Sequence, residues 1–529
     1  MNWPETRNLL VEGDCLEVLK LLQKSYFRRV DVIYLDPPYN TGTDQIYPDS
    51  WDDDLATYLQ YTRQAEGNGL RLAANTETAG RYHTKWLNMM LPRLMLARNL
   101  LREHGVIYAS IDDHESHNLR LMMDEVFGPE NFICSFAWQK RYSPPPDTTD
   151  VGYQHESVLM YRRSDEFVAN KLSATEEQVG RYKNPDNDPR GPWKAADYTC
   201  RYTSDERPTL YYPIRNPNTG KEVLPKKTRV WNSSKVQTRK NLGEDRLWWG
   251  KRGTNSVPAL KNFISEVRPG RMPGTLLLHD EVGHTDEASK ELRRLLPDIK
   301  FPAKPTRLIE HLCMIGGSKD AMILDLFAGC GTTGQAVYQL NVADGGSRRF
   351  ILVQLPEKID NGPYRTVFEL ARFRVQAAGA AVHKSKKSCA DTGFKVFRLD
   401  SSNIKPWDAD FESMENGLIE SIDNIKADRS EDDILYELLL KYGLDLAIPS
   451  ETRKIEGRKV TVIGAGALVV CLADDITLEV VSGIAALKDE LKPEIMRVVF
   501  KDSGFTDDVV KTNAAQILLQ AGIDDVKSL

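Results

Sequence analysis

The stretch Val32-Ile-Tyr-Leu-Asp36-Pro37-Pro38-Tyr39 decides the fold of this chain of 529 residues. Its first four residues predict a buried strand, which the two prolines end because proline donates no backbone hydrogen bond. The bend that follows carries the Asp36 carboxylate, the Pro37 carbonyl and the Tyr39 ring. A carboxylate and a carbonyl can accept both N–H groups of an exocyclic amine, and an aromatic ring can stack on the heterocycle. The alternative is a strand-ending turn in which Asp36 has no function.

A second segment, residues 321–337, has the same order of features. Met322–Leu326 predicts a short strand that contains Asp325, and Phe327-Ala-Gly329-Cys-Gly331-Thr332 predicts a tight bend that opens a helix. Glycine lets the backbone approach a ligand closely, and the first turn of a helix has free N–H groups. The pattern is not the dinucleotide fingerprint, and it is not a P-loop because no Lys follows the last glycine. A purely structural turn is the alternative.

Strand and helix patterns alternate along most of the chain. Strands are predicted at residues 8–14, 30–35, 105–111, 322–326 and 349–353, and helices at residues 16–22, 84–103 and 117–127. Such alternation is typical of an α/β fold, in which a doubly wound, mostly parallel sheet is covered by helices on both faces. Ligands of these sheets bind beyond the carboxyl ends of the strands, where Asp36 and Asp325 are both expected.

The two motifs resemble those of the S-adenosylmethionine-dependent amino-methyltransferases of DNA, in which Asp-Pro-Pro-Tyr is catalytic and Phe-x-Gly-x-Gly binds the cofactor. The catalytic motif comes first here, which is the permuted, β-type order of that family. The whole chain also resembles the modification (Mod) subunits of Type III restriction–modification systems, in segments such as Gly13–Leu19, Ile214–Lys221 and Val498–Phe505. The resemblance implies a sheet of the S-adenosylmethionine-dependent methyltransferase type and methylation of adenine N6 in double-stranded DNA.

Composition and the resemblance together indicate four segments. Periodicity is lost after residue 139, and residues 181–275 are rich in Pro, Gly, Lys, Arg and Trp. The predicted division is 1–138, the first part of a methyltransferase domain with the catalytic motif; 139–298, an inserted target-recognition domain; 299–385, the second part of the methyltransferase domain with the cofactor motif; and 386–529, a C-terminal α+β interaction module. By resemblance, this last module serves homodimer formation and docking of a helicase–nuclease restriction subunit. Gly464-Ala-Gly466 within it predicts a hairpin turn rather than a nucleotide loop.

Charge is distributed unevenly along the chain. The net charge is −6, whereas residues 139–275 contain 25 Lys and Arg against 16 Asp and Glu. A local basic surface favours a polyanion such as DNA, and the alternative is a solvated lysine-rich insert. The seven cysteines are scattered without metal-ligand spacing, which predicts reduced thiols and no metal site. Because no apolar stretch is long enough to span a membrane and no signal sequence is visible, a cytoplasmic location without membrane contact is expected.

By resemblance, S-adenosylmethionine is the cofactor, and a set of residues is expected to form its pocket. The set is Asp14, Lys304, Pro305, Asp325, Phe327, Gly329, Gly331, Thr332, Gln354 and Glu357. The resemblance places Asp14 beside the adenine of the cofactor and Lys304 near the carboxylate of its amino acid tail. A helix N-cap and a surface lysine are the alternatives for these two residues. Many relatives have an acidic residue for the ribose where this chain has Gln354, so the ribose contact is open, and Glu357 can substitute.

The expected chemistry follows from the poor nucleophilicity of an amine whose lone pair is delocalised into a ring. Asp36 and the Pro37 carbonyl, by accepting both N–H groups, favour a more tetrahedral nitrogen that attacks the methyl group in line, while Tyr39 stacks on the base. The base must leave the duplex to reach this site, and no metal is required. Asp at the first motif position favours adenine N6, because cytosine-N4 enzymes usually have Ser there. The loop of residues 40–51 is a candidate to close over the extruded base.

Basic residues that lie beside aromatic ones are the expected DNA contacts. They are Trp138, Lys140, Arg141, Lys226, Lys227, Arg229, Arg239, Lys240, Lys251 and Arg252. Most of the basic side chains are expected to meet phosphates, and the sequence does not identify those that read bases. The neighbouring pair Trp248 and Trp249 is expected in a core rather than on a stacking surface. Two alternatives are compatible with the motifs: a DNA-reading module with weak or no methyl transfer, and a cytosine-N4 methyltransferase.

Overall fold

The structure, a computed structural model, describes residues 3, 5–41, 82–145, 151–173, 180–266, 270–359, 362–384, 391–405 and 425–529. The chain divides into two compact units, of which the first consists of residues 1–169 and 274–529 and the second of residues 170–273. Within the described ranges, no helix is both long enough and apolar enough to cross a membrane.

The strands of the described residues are numbered in chain order. They are β1 (Leu9–Glu12), β2 (Val30–Leu35), β3 (Leu101–Ile111), β4 (Phe132–Gln139), β5 (His155–Arg162), β6 (Trp193–Asp197), β7 (Thr199–Cys200), β8 (Ile214–Arg215), β9 (Glu222–Val223), β10 (Val230–Trp231), β11 (Leu247–Trp248), β12 (Ala259–Phe263), β13 (Leu276–Leu277), β14 (Met322–Asp325), β15 (Arg349–Gln354), β16 (Lys395–Arg398), β17 (Ser450–Ile455), β18 (Arg458–Ile463), β19 (Leu468–Cys471), β20 (Arg497–Phe500) and β21 (Asp525–Ser528).

The α-helices are numbered in the same way. They are α1 (Cys15–Tyr26), α2 (Tyr82–Leu100), α3 (Ser116–Phe127), α4 (Lys235–Gly243), α5 (His279–Val282), α6 (Thr285–Leu295), α7 (Thr306–Gly316), α8 (Thr332–Asp344), α9 (Val367–Lys384), α10 (Glu431–Tyr442), α11 (Leu478–Leu491) and α12 (Asp508–Gln520). Short 3-10 helices also occur at Pro129–Asn131, Pro208–Leu210, Ile264–Glu266, Gly464–Gly466 and Asp502–Gly504.

Nine strands of the first unit form one sheet, in the spatial order β13-β4-β5-β3-β2-β14-β15-β1-β16. Neighbouring strands are parallel except at β5, which runs antiparallel to both β3 and β4. The two strands that end at the motifs, β2 and β14, are direct neighbours. The predicted α/β fold with a mostly parallel sheet is therefore confirmed.

Helices cover both faces of this sheet. On one face, alternate residues such as Ile33, Ile107 and Leu324 share a core with residues of α1, α2 and α3. On the other face, Gly316 of α7 lies directly against β3, and Gly334 of α8 lies against β15. The sheet is therefore doubly wound, and its central strands are apolar where they lie between the two helical layers, for example at residues 32–35 of β2 and 106–109 of β3.

Local sequence explains the first elements of the fold. All six residues of β2 are buried, as expected for a central strand covered on both faces. Asp14 starts α1, because its carboxylate accepts the backbone N–H groups of Leu16 at 2.8 Å and Glu17 at 3.3 Å. The buried residues of α1, including Leu19 and Leu22, recur at helical spacing and fix the face that packs on the sheet.

The second unit, residues 170–273, is shorter than the predicted insert of residues 139–298. β5 pairs with β3 and β4, and β13 pairs with β4, so both strands belong to the central sheet of the first unit. The loss of periodicity after residue 139 does not mark a domain boundary, because the chain returns to the sheet before the second unit begins at residue 170. The predicted C-terminal segment 386–529 also belongs to the first unit, and β16 extends the nine-stranded sheet beside β1.

The rest of the C-terminal segment contains a five-stranded sheet in the order β17-β18-β19-β20-β21. Residues of α11 and α12 share a core with this sheet. Strands β18 and β19 are antiparallel, and Gly464–Gly466 joins them. The hairpin turn that the sequence predicts at these glycines is therefore confirmed.

The second unit contains three small sheets and an aromatic core. β6, β11 and β12 form a three-stranded sheet, while β7 pairs with β10 and β8 with β9. Its core includes Tyr198, Trp231 and Trp249, and Trp248 is half-buried, in agreement with the core position expected for the tryptophan pair. The buried Lys261 forms ion pairs with three aspartates at 2.7–3.1 Å. The role of this unit in target recognition stays a prediction.

Candidate active site

The two predicted motifs meet at one edge of the central sheet. β2 and β14 are parallel neighbours, with Tyr34 opposite Asp325. Asp36 follows β2 at the edge where the loop Phe327–Gly331 follows β14. The structure therefore brings together the two segments that the sequence singled out. They meet at the carboxyl ends of parallel strands, which form the usual ligand site of a doubly wound sheet.

The bend Asp36–Tyr39 is held by a tryptophan that the sequence predicts only as a helix core residue. Trp86 of α2 is fully buried, and its indole N–H donates to the Pro38 carbonyl at 2.7 Å. The Pro37 carbonyl accepts no hydrogen bond from any residue that the structure describes. The bend therefore has one carbonyl fixed by the core and the preceding one available to an incoming donor.

A second contact fixes the residue after the motif. Asn40 is buried and has a left-handed backbone with φ 58°, which Asn tolerates better than most residues. Its amide donates to Glu115 at 2.6 Å, and the fully buried Glu115 also hydrogen-bonds with His83 at 2.6 Å and Asn118 at 2.7 Å. Glu115 thus anchors the end of the bend. Residues 42–51, which include most of the loop expected to close over the base, lie outside the described residues.

Asp36 and four side chains near it form a group that we call the Lys304 cluster: Asp36, Tyr39, Lys140, Glu156 and Lys304. The Lys304 ammonium donates to the two Asp36 oxygens at 2.8 and 3.0 Å and to the Tyr39 hydroxyl at 2.8 Å, and it lies 3.5 Å from Glu156 Oε2. Lys140 donates to Glu156 Oε1 at 2.8 Å. The Tyr39 hydroxyl lies 3.0 Å from Asp36 and 3.1 Å from Glu156, and its one proton can be donated to either carboxylate.

Burial and charge together set the ionisation of this cluster. Burial raises the pKa of Tyr39 well above its usual value, and the charges of Asp36 and Glu156 raise it further. Burial alone would lower the pKa of Lys304, but the charges of the same two carboxylates outweigh it, and the pKa is raised. Burial alone would raise the pKa of Glu156, but Lys304 and Lys140 outweigh it, and the pKa is lowered. At neutral pH, Tyr39 is therefore a phenol, Lys304 an ammonium and Glu156 a carboxylate.

Asp325 organises the glycine-rich loop. Its buried side chain accepts the backbone N–H of Phe327 at 3.1 Å and the hydroxyl of Thr333. Burial raises the pKa of Asp325 to about 7, against the lowering effect of these two hydrogen bonds, and the charge of Asp36 adds to the rise. The carboxyl group thereby ties the end of β14 to the start of α8.

Two glycines of the loop have left-handed backbones, with φ 53° at Gly329 and 80° at Gly331. A Cβ atom at Gly331 would lie 3.0 Å from Val375 and 3.1 Å from the Ala371 carbonyl, so the loop packs tightly on α9 there. A Cβ atom at Gly329 would have only the Phe327 carbonyl as a neighbour, at 3.9 Å. Gly329 therefore presents an open stretch of backbone that a ligand can approach.

Two of the predicted cofactor residues are engaged within the fold. Asp14 caps α1 with one oxygen, and the other accepts from the buried Arg93 at 3.0 Å. Gln354 is buried, its Oε1 accepts the Gly329 N–H at 2.7 Å, and its Nε2 donates to the Leu355 carbonyl at 3.0 Å. Gln354 therefore holds the glycine-rich loop, and the ribose contact that the sequence left open stays a prediction.

The remaining predicted cofactor residues lie around the same loop or beside it. Phe327 is buried, and the Thr332 hydroxyl accepts from Arg374 at 2.7 Å at the start of α8. Pro305 is the N-cap residue of α7. Glu357 is half-buried beyond β15, where burial raises its pKa, and its carboxyl has no partner in the described part of the chain. Glu357 is thus one acidic group that hydroxyls near this strand end can reach.

Lys304 and Trp138 have contacts that the sequence did not predict. The sequence predicts Lys304 beside a cofactor carboxylate, but its ammonium is bound to Asp36 and Tyr39. Trp138 is predicted to contact DNA, but it is 1% exposed, it donates to the Gly283 carbonyl at 3.0 Å, and Lys304 lies 5.7 Å from its ring centroid. The prediction that Trp138 contacts DNA is wrong, because this residue lies on β4 of the central sheet and its side chain is buried beside Lys304.

Most of the other residues predicted to bind DNA are exposed. In the first unit, Arg141 is exposed, whereas Lys140 is largely buried in its ion pair with Glu156. In the second unit, the exposed residues of this set are Lys226, Lys227, Arg229, Arg239, Lys240, Lys251 and Arg252. Residues 226–243 contain six Lys or Arg and no Asp or Glu. This segment is therefore a concentrated positive surface of the second unit.

Three residues of the site were not singled out from the sequence: Trp86, Glu115 and Glu156. Trp86 and Glu115 gave no signal beyond their helical surroundings. Glu156 had one, because it is a charged residue in β5, two residues before the apolar residues 158–161 of that strand. A Glu at a buried strand position is seldom found without a partner, so that pattern could have directed attention to it.

The fold and the site define a doubly wound α/β protein in which the Asp36–Tyr39 bend lies beside a glycine-rich loop at the carboxyl ends of two neighbouring strands. A family model described as DNA methylase matches residues 30–358. The match covers more than half of the chain and includes both motifs. This chain belongs to the DNA methylase family.

Curated relatives carry the likeness beyond the matched family region. The Mod subunit of the Type III restriction-modification enzyme StyLTI from Salmonella typhimurium is 32% identical over 74% of this chain and 60% of its own length. The Mod subunit of EcoPI from Escherichia phage P1 is 32% identical over 74% of this chain and 65% of its own length. The Type II methyltransferase M.KpnI from Klebsiella pneumoniae is 30% identical over 66% of this chain and 81% of its own length. The chain thus spans 60–65% of the length of the two Mod subunits.

Proposed function

We propose that this chain is a site-specific DNA methyltransferase, which transfers a methyl group from S-adenosylmethionine to N6 of adenine in double-stranded DNA. The observation that carries the proposal is the position of Asp36 and the available Pro37 carbonyl beside the glycine-rich loop. Membership of the DNA methylase family supports the class of reaction. Asp at the first motif position supports adenine N6 as the target rather than cytosine N4.

The glycine-rich loop fits S-adenosylmethionine. The open backbone at Gly329 allows close approach of the methionine end, and Asp325 and Gly331 keep the loop in shape around it. Glu357 is the acidic group for the ribose hydroxyls, since the amide of Gln354 is engaged within the loop. When bound, the cofactor supplies a methyl group on a sulfonium, which carries its own leaving group.

Asp36 and Pro37 act on the target amine. The Asp36 carboxylate accepts one N–H and the Pro37 carbonyl the other, so the nitrogen lone pair is directed away from the ring and towards the cofactor loop. As methyl transfer proceeds, positive charge develops on the nitrogen, and the carboxylate stabilises it at close range. Asp36 then accepts the proton that the methylated amine loses.

Tyr39 provides the face against which the extruded base packs. Its hydroxyl is held between Asp36 and Glu156, so the ring has a fixed orientation before the base arrives. A base within a duplex cannot reach this site, and stacking on an ordered ring recovers part of the cost of unstacking it from DNA.

The second unit supplies the DNA contacts in this proposal. The exposed basic residues of segment 226–243 meet phosphates, which sets the affinity and its dependence on salt. Helix α4 is held by the buried Thr238 and Asn241, while it exposes Arg239 and Lys240, and Val236 is 77% exposed. An α-helix fits the major groove, where an arginine reads guanine and an apolar side chain contacts the thymine methyl. We therefore assign base reading to α4.

The names of the two Mod relatives support a role as the modification and specificity subunit of a Type III restriction–modification system. In this role the chain forms a homodimer and binds a helicase–nuclease restriction subunit through segment 386–529. Its place of action is the cytoplasm, where its DNA substrate lies.

Methyl transfer to mixed-sequence double-stranded DNA tests the proposal. We expect wild type to label DNA, and we expect Asp36→Ala to bind DNA without labelling it. Asp489→Ala, which removes an exposed carboxylate of α11, is the matched control and is expected to behave as wild type. DNA binding by wild type without any transfer would support a DNA-reading module instead. Sequencing of DNA from cells that express the protein then gives the recognition site.

A further inference from the structure

Glu156 has no place in either predicted motif, yet it contacts three members of the Lys304 cluster. It lies on β5, the antiparallel strand of the central sheet, and is 8% exposed. One of its oxygens accepts from Lys140, and the other lies within reach of the Tyr39 hydroxyl and the Lys304 ammonium. The partners that the structure describes for this buried carboxylate are therefore Tyr39 of the bend and the two lysines of the cluster, Lys140 and Lys304.

Lys304 connects Glu156 to the catalytic carboxylate. Its ammonium has three N–H donors, and these are directed at Asp36, at the Tyr39 hydroxyl and, at the longest distance, at Glu156. A side chain on the loop before α7 is thereby fixed by two residues of the bend and by one residue of β5. The lysine side chain is 14% exposed, so its charge acts on these carboxylates with little screening by water.

The charged groups that face Asp36 come from four elements. Lys304 precedes α7, and Glu156 on β5 brings Lys140 beyond β4 into the same group. Asp325 at the end of β14 is close enough for the charge of Asp36 to raise its pKa, and the Tyr34 phenol on β2 experiences the same charge. Among the described residues of this group, Lys304 is the positive charge in direct contact with Asp36, whereas Lys140 pairs with Glu156.

We propose that Lys304 and Glu156 are positioning residues for the methyl-transfer step, an inference that rests on the proposed function. Lys304 holds the Asp36 carboxylate in place through hydrogen bonds to both of its oxygens, so that this carboxylate is oriented to accept an N–H group of the target amine. Glu156 holds the Lys304 ammonium and the Tyr39 hydroxyl in place and balances the added positive charge. Neither residue touches the reacting atoms, so both act through Asp36.

The inference predicts opposite effects of two neutral substitutions on the pH profile of methyl transfer. Lys304→Met removes the positive charge that lies 2.8 Å from the catalytic carboxylate, so the acidic limb of the profile is expected to move to higher pH. Glu156→Gln removes a neighbouring negative charge, so the same limb moves to lower pH. Charges at this range shift the titration of a carboxyl group by about 1–3 pH units, which sets the expected size of both shifts.

Three further variants separate electrostatics from packing. Lys304→Arg keeps the positive charge and is expected to restore the limb to within about half a pH unit of wild type, a fraction of the full effect. The double variant Lys304→Met/Glu156→Gln removes one charge of each sign, and its limb is expected between those of the single variants. Lys20→Met, which replaces an exposed lysine of α1, is the matched control and leaves the limb unchanged.

Single-turnover methyl transfer from about pH 3 to pH 8 by the full chain, with saturating DNA and S-adenosylmethionine, measures these limbs, because this range lies around the ordinary titration of a carboxyl group. Opposite shifts for Lys304→Met and Glu156→Gln support the inference. Equal losses of rate at every pH, or shifts in the same direction, overturn it. A weakened affinity of Lys304→Met for S-adenosylmethionine with an unmoved limb also overturns it, because Lys304 would then be a cofactor ligand.

Two safeguards keep the experiment decisive. If Lys304→Met does not fold, as judged by thermal unfolding, Glu156→Gln still tests the inference, because an unmoved limb in that variant overturns it. Failure of the proposed function gives a different result, since wild type itself would then transfer no methyl group to DNA at any pH.

Discussion

Three glycine-to-alanine substitutions separate the folding role of the cofactor loop from its binding role. Gly329, Gly331 and Gly345 all have left-handed backbones, with φ 53°, 80° and 69°. Gly331 and Gly345 lie at the two ends of α8, and Gly329 lies in the loop two residues earlier. The three sites share one backbone conformation, so alanine at each of them differs chiefly in what its Cβ atom meets.

The structure sets the expected size of each effect. Alanine in a left-handed backbone lowers the free energy of unfolding by about 1–2 kcal/mol, and this loss applies to all three variants. Only Gly331→Ala adds overpacking, because its Cβ would lie 3.0 Å from Val375 and 3.1 Å from the Ala371 carbonyl, whereas Gly345 has nothing within 4 Å. Overpacking of this kind adds about 1–3 kcal/mol. We therefore expect losses in the free energy of unfolding of about 2–5 kcal/mol for Gly331→Ala and about 1–2 kcal/mol for the other two.

Binding follows a different order. The Cβ atom of Gly329→Ala enters the open space where the cofactor is proposed to approach the backbone, so this variant is expected to bind S-adenosylmethionine about tenfold more weakly, or worse, which is about 1.4 kcal/mol. Gly345→Ala is the matched control and is expected to bind as wild type does. Urea unfolding and calorimetric titration of the full chain measure the two quantities. Equal affinities of Gly329→Ala and Gly345→Ala would refute the assignment of this loop to the cofactor.

Three further predictions concern the bend, the second unit and the buried carboxyl group. Trp86→Phe leaves the Pro38 carbonyl without its donor, which costs about 1–3 kcal/mol, so the single-turnover rate is expected to fall while affinity for S-adenosylmethionine is kept; an unchanged rate would contradict this role. Lys226→Ala is expected to weaken DNA binding and to reduce the slope of log affinity against log salt by about 0.9, whereas Lys454→Ala, an exposed control on β17, changes neither. Asp325 has a pKa of about 7 in the folded chain against a usual value of 3.8. Between these two pH values the folded state holds a proton that the unfolded state has lost, so the free energy of unfolding falls as pH rises through this range. Asp325→Asn removes this pH dependence. In urea titrations, the difference in the free energy of unfolding between wild type and Asp325→Asn is expected to change by about 4 kcal/mol across this pH range; parallel curves of stability against pH would contradict the raised pKa.

The parts of the fold that could be predicted from the sequence are those with local signals. An apolar run closed by two prolines specifies β2 and the bend after it, and a glycine-rich turn specifies the start of α8. The order of the sheet then follows because ligand-binding loops of a doubly wound fold lie at neighbouring strand ends. The helix cap at Asp14 was foreseen as an alternative for the same reason, since a side chain that caps a helix is a local feature.

Contacts between distant segments could not be predicted in this way. Lys304, Glu156 and Asp36 come from three separate elements, and their pairing depends on the antiparallel return of β5. The position of β5 also explains why the predicted insert of residues 139–298 is longer than the second unit. Both β5 and β13 belong to the central sheet, although they lie in a part of the sequence that has no clear periodicity. Trp138 was misassigned since neighbouring lysines occur both on DNA-binding surfaces and around a buried ionic cluster.

The identity of the methylated base tests the central claim most directly. Double-stranded DNA is incubated with the full chain and isotopically labelled S-adenosylmethionine, digested to nucleosides and analysed by mass spectrometry. The account predicts N6-methyldeoxyadenosine as the labelled product with wild type and no labelled nucleoside with Asp36→Ala. Label on cytosine N4, or equal labelling by both proteins, would contradict it.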